Sequence, residues 1–147
     1  MSRPGLNLSP RGRDAYSRFT TITLRWADND AYGHVNNTVY YAWFDSAVNQ
    51  WLVEQGLLDI VVGDPIGLVV ETGCRYFAPL AFPGTVEIGI AVEKLGSSSV
   101  TYRIGVFKSG APEPAAEGHF THVYVDRATR RPVALPAAWR TAIEALG

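Results

Sequence analysis

The chain has 147 residues, 47% hydrophobic and 18% charged, with 13 basic and 14 acidic side chains and a formal net charge of −1. That is one domain's length and an ordinary globular composition, which excludes global disorder, and the near-neutral balance gives nucleic acid no electrostatic footprint. The single cysteine, Cys74, excludes an internal disulfide framework and a multi-cysteine zinc site, and no apolar run approaches the roughly 18 residues that span a membrane.

Residues 1–18 hold Arg3, Arg11, Arg13 and Arg18 against one acid, Asp14, with two prolines and two glycines. The segment reads as a flexible N-terminal arm ahead of a single domain over 19–147. It lacks the amphipathic pattern of an organellar presequence and the apolar core of a secretory signal, so a cytoplasmic protein is expected. Residues 19–26 are β-branched and aromatic and read as a strand. The polar stretch Ala27-Asp28-Asn29-Asp30-Ala31-Tyr32-Gly33-His34-Val35-Asn36-Asn37 follows. It reads as a loop feeding a helix N-cap.

The helix is predicted over 37–55, with Gly56 as its stop. Val39, Trp43, Ala47 and Trp51 form one row at four-residue spacing, and Tyr40, Phe44, Val48 and Leu52 form the next. Two adjacent apolar rows are wider than the stripe of a surface helix. This helix is therefore deeply enclosed, with Tyr41, Asp45 and Asn49 on its wetter side. After Gly63-Asp64-Pro65 the pattern changes from helical to alternating. Strands are predicted over 66–78, 85–95, 100–106 and 117–125, with turns between them, and Pro136 starts a short C-terminal helix. Short connectors make the last strands antiparallel neighbours. One helix cannot cover both faces of five strands. The sheet must curl around it and the remaining surface needs a partner, so an α+β domain that oligomerises is expected.

Several candidate chemistries fail on spacing. Asp28-x-Asp30 with Gly33 opens like a calcium loop, but its fifth position is Tyr32 and its twelfth is Val39. His119-x-x-His122 lies on a predicted strand, where residues three apart face opposite ways and cannot chelate one ion. Cys74 sits mid-strand in an apolar-rich run, as a packed thiol does. No phosphate-binding glycine loop occurs. No metal and no cofactor are expected. What remains is the loop before the buried helix, which sets carboxylates, a glycine and a histidine beside unpaired helix N–H groups. Such N–H groups polarise a carbonyl and hold an oxyanion, and a nearby carboxylate attacks that carbonyl or activates water. The same composition also serves simple helix capping.

Arg25-Trp26-x-Asp28-x-Asp30-x-x-Gly33-His34-Val35-Asn36-Asn37-x-x-Tyr40 resembles the signature of the 4-hydroxybenzoyl-CoA thioesterase-like branch of the hot-dog fold. Later segments resemble that family in order: Tyr76-x-x-Pro79-Leu80 with Gly84, Leu95-Gly96-x-Ser98-Ser99, Ala116-Glu117-Gly118, Val125-Asp126 with Arg131-Pro132, and Leu135-Pro136. The resemblance covers about residues 19–146. It implies a five-stranded antiparallel sheet wrapped around one long helix, in a homodimer or homotetramer with acyl-thioester sites at subunit interfaces. The implied reaction is hydrolysis of an acyl-CoA to free acid and CoA, which is substrate and not cofactor. The family's catalytic carboxylate falls on Asp30, and the carbonyl-polarising N–H falls near Asn37. Gly33 allows the tight turn, and His34 and Asn36 are orienting candidates. Thr72 and Gly73 belong to the strand crossing the acyl pocket, from the same or the other subunit, with Glu71 as a second polar group. Arg75, Arg103, Arg127, Arg130 and Arg131, with the turn at Ser97, Ser98 and Ser99, are available for the CoA phosphates. Trp43, Phe44 and Trp51 serve either the pocket or the helix core. Two other readings stay open: a non-catalytic acyl-thioester-binding module, and a thioesterase or dehydratase acting on acyl carrier protein esters.

Overall fold

The alternation of the second half builds one antiparallel sheet, and the computed structural model describes it over residues 10–147. Its strands are β1 (Arg18–Thr23), β2 (Ile66–Tyr76), β3 (Thr85–Leu95), β4 (Ser99–Lys108) and β5 (Ala116–Val125). Helix α1 (Asn37–Glu54) lies between β1 and β2, and α2 (Ala137–Leu146) ends the chain. The strand order is β1-β3-β4-β5-β2, antiparallel at each pairing, so β1 and β2 are the edges. This is the hot-dog arrangement that the sequence resemblance implied.

Both predicted rows of α1 are used. Tyr40, Trp43, Phe44, Ala47, Val48, Trp51 and Leu52 are buried against Val86, Ile88, Ile90, Val100, Tyr102, Ile104 and Val106 from the inward positions of β3 and β4. Gly118 on β5 makes the close approach possible: a Cβ there would collide with the Phe44 ring and the Gly73 carbonyl. Trp43, Phe44 and Trp51 are thus core residues. Gly56, with φ of 73°, stops the helix in the left-handed region.

Two predicted strands are shorter than their patterns. β1 ends at Thr23 because Asp28 folds the chain back. Its buried carboxylate accepts the Arg25 N–H at 2.7 Å and the guanidinium at 2.8 Å, closing a 3-10 turn at Trp26–Asp28. β2 ends at Tyr76 because the Phe77 and Ala78 N–H groups both turn to the Ala115 carbonyl.

The N-terminal segment also differs from the arm expected over 1–18. Residues 1–9 lie outside the described residues. From Arg11 onward the chain is fastened to the outer face of the sheet. The Arg11 N–H reaches Glu117 at 2.9 Å, and Arg13 reaches Glu87 and the Ala111 carbonyl, each at 2.8 Å. Tyr16 is the reason for the packing. It is 6% exposed and fills a slot left by Gly89 and Gly105, cross-strand partners whose missing side chains make room for its ring. Among the described residues no helix is long and apolar enough to cross a membrane.

Candidate active site

The loop joining β1 to α1 is rigid because its polar side chains bond to its own backbone. Asp28 holds Arg25 at one end, as above, and its carbonyl accepts the Asn36 N–H at 2.8 Å. The Val35 N–H reaches the Leu80 carbonyl at 2.7 Å. Between these ties, Asp30 closes a tight turn. Its Oδ1 accepts the Tyr32 N–H at 2.8 Å and the His34 N–H at 3.4 Å, and its own N–H reaches the His34 carbonyl. Gly33 sits in that turn with φ of 82°, where a side chain is strained. Among the described residues no donor reaches Asp30 Oδ2. One oxygen thus orients the carboxylate within the turn.

The start of α1 is capped selectively. Asn36 is the N-cap: its Oδ1 accepts the Thr38 N–H at 2.9 Å and its carbonyl accepts the Val39 N–H at 3.0 Å. Across residues 35–39, and among the described residues, every backbone N–H has an acceptor except that of Asn37. That one donor stands at the positive end of an 18-residue helix. Asp30, His34 and Asn37 together line a cleft of about 400 Å³ with Val35, Tyr40, Tyr76, Phe77, Ala78 and Pro79.

The other expected residues divide. Gly33 and Asn36 shape the loop and cap the helix. Glu71, Thr72 and Gly73 do not reach this cleft within one chain. Glu71 pairs with His119 Nε2 at 3.0 Å, the Thr72 hydroxyl donates to the His119 carbonyl at 2.8 Å, and Gly73 lies against the His119 ring. His119 and His122 face opposite sides of β5, as strand alternation requires. His122 is 2% exposed and bonds to the Tyr124 hydroxyl. Burial pushes its pKa down to about 4, so it is neutral in the core. Of the arginines, Arg75 bonds to Glu117, Arg103 to Glu93 and the Ala15 carbonyl, and Arg127 to the Gly63 and Val61 carbonyls. Arg130 and Arg131 are exposed.

Sequence reasoning missed the aromatic lining from Tyr40, Tyr76 and Phe77. The signal was present: Thr72, Cys74 and Tyr76 alternate onto one face of β2, and Tyr76 is the last of them. Burial pushes the Cys74 thiol up to about 11, so it is mostly protonated at neutral pH.

The profile of the Thioesterase-like superfamily matches residues 24–143. Among solved structures, the chain is similar to the PA5185 protein of Pseudomonas aeruginosa strain PAO1. The identity is 51%, with a TM-score of 0.91 over 94% of this chain and 96% of that one. The PA2801 protein of Pseudomonas aeruginosa is 30% identical, with a TM-score of 0.80 over 88% and 98% of the two chains. The BH1999 gentisyl-coenzyme A thioesterase is 26% identical, with a TM-score of 0.76 over 86% and 99%. Comparison with curated proteins gives no match.

Proposed function

The chain belongs to the thioesterase-like superfamily, and on that premise we propose that it hydrolyses an acyl-CoA thioester, with Asp30 as the reacting carboxylate. The observation that carries this reading is the pairing in one cleft of a carboxylate whose second oxygen meets no donor, and a helix N–H that meets no acceptor, among the described residues. The thioester carbonyl oxygen faces the Asn37 N–H, which together with the helix terminus takes up the negative charge that develops on it. Asp30 Oδ2 then acts in one of two ways. It attacks the carbonyl carbon, breaking the C–S bond and leaving a mixed anhydride that water opens, or it takes a proton from water as the water attacks. In both, the sulfur leaves as the CoA thiolate and takes up a proton. The turn through Tyr32 and His34 fixes which oxygen is presented. His34, on the cleft wall, orients the ester or the water.

The site is completed by a second copy of the chain. β2 is an edge strand paired on one side only, and Leu68, Val69 and Val70 on it are exposed. Pairing β2 to its counterpart would cover them and bring Thr72, Gly73 and Glu71 of one subunit towards the cleft of the other. A cytoplasmic location belongs to the same proposal.

Thiol release from short, long and aromatic acyl-CoAs tests the reading, with a blank lacking substrate to account for Cys74. Turnover of at least one CoA ester is expected. Turnover confined to acyl carrier protein esters would replace the carrier. Binding without turnover of either would make the protein a binding module.

A further inference from the structure

The first turn of α1 is tied to the rest of the molecule from inside the cleft by one side chain. The Tyr76 hydroxyl, at the end of β2, donates to the Asn37 carbonyl at 3.0 Å. That carbonyl belongs to the same residue whose N–H has no acceptor among the described residues. A carbonyl has two acceptor positions, so the phenol bonds to it without displacing the helical bond from four residues on. The Tyr76 ring is itself held. It meets the Tyr40 ring edge-on at 4.9 Å and 87°, and Tyr40, 3% exposed, meets Trp43 in the core at 5.0 Å. Desolvation, then Cys74 and Tyr41, which also share side-chain hydrogen bonds with the phenol, push the Tyr76 pKa above the ordinary tyrosine value.

We infer that Tyr76 is a positioning residue for thioester hydrolysis: its hydroxyl clamps the Asn37 carbonyl and so holds the Asn37 N–H where the oxyanion forms. The inference rests on the acyl-thioester reading given above. The geometry explains why a clamp belongs here. Helix ends fray, and the first turn has few ties outside the helix. The ties at Val35 and Asn36 fix the chain just before Asn37, and Tyr76 fixes it at Asn37 itself, from the opposite strand. A donor aimed at developing charge is effective only if it need not reorganise during the reaction. Loss of the clamp leaves the ester's binding surface in place and lets the donor wander, so the loss falls on kcat.

The test is Tyr76→Phe, which keeps the ring and its contact with Tyr40 and deletes the hydroxyl. Steady-state kinetics on the best acyl-CoA should show kcat reduced about tenfold, as expected for a misaimed oxyanion donor, with KM within twofold. Hydrogen exchange at the amides of residues 38–41 should speed up while exchange in the β3–β4 core is unchanged. Tyr76→Leu, which also removes the ring, should lose more of kcat and additionally raise KM. Unchanged kcat in Tyr76→Phe, or a rise in KM alone, would overturn the inference while wild-type turnover leaves the thioesterase reading intact. Absence of wild-type turnover on every thioester would overturn both. Faster exchange without loss of kcat would make Tyr76 a structural tie only and also overturn it.

Discussion

At the scale of single residues, the loop before α1 assigns different work to its two acids. Asp28 is 1% exposed and committed to Arg25. Asp30 is only partly buried, keeps Oδ2 free of donors among the described residues, and faces the cleft. The spacing Asp28-x-Asp30 was legible in the sequence, and the resemblance put the reacting carboxylate on Asp30. The tie of Asp28 to Arg25 was not legible, because it depends on which carboxylate meets the Arg25 backbone. His122 gives a residue-scale consequence in pH. In the folded chain it titrates at about 4, against 6.5 for an unhindered histidine. The unfolded chain therefore binds an extra proton as pH falls through 6.5, and stability is lost between that value and about 4. From pH 7 to pH 5 the loss is about 2 kcal/mol. Urea unfolding of wild type and His122→Gln at both pH values should show that increment in wild type only. Equal losses in the two proteins would place the pH dependence elsewhere.

At the scale of elements, α1 and the β-strands followed their periodicities closely, since burial on two faces leaves few patterns open. The helix began at Asn37 as expected, and β3 occupied residues 85–95 as its alternation indicated. The misjudged elements were the ones decided by distant partners. Trp26 looks like a strand residue by composition, yet it lies in a 3-10 turn because of Asp28. Residues 11–17 look like loose chain, yet Tyr16 finds a slot that only two glycines about 75 and 90 positions later provide. The alternation that puts Tyr76 on one face of β2 was legible, but its meeting with Tyr40 was not, since the two come together only after β2 returns beside α1. The Asn36 cap offers a test of the element that carries the donor. Asn36→Ala removes the acceptor of the Thr38 N–H and should cost about 1 kcal/mol of stability in chemical denaturation. It should also depress turnover, because the first helical turn bears the Asn37 N–H. A stable variant with full turnover would show that the cap plays no part in aiming the donor.

At the scale of the whole molecule, β2 leaves an exposed apolar edge at Leu68, Val69 and Val70. An edge strand with exposed apolar residues invites pairing with another copy, and Tyr76 at the end of β2 lines the cleft. Sedimentation should therefore find a dimer, and Val70→Lys on the exposed strand should weaken it. A wild-type monomer at assay concentration would remove the second copy from the proposed site. The proposed reaction rests on a smaller set of atoms, the Asp30 carboxylate and the Asn37 N–H, whose residues line one cleft. The most direct measurement is thiol release by wild type and Asp30→Asn on the best acyl-CoA, with circular dichroism to show that the variant is folded. The amide keeps the Oδ1 acceptor of the turn but neither attacks the ester nor activates water. A folded Asp30→Asn should lose at least a hundredfold in kcat with little change in KM. Turnover at the wild-type rate in that variant would contradict the account.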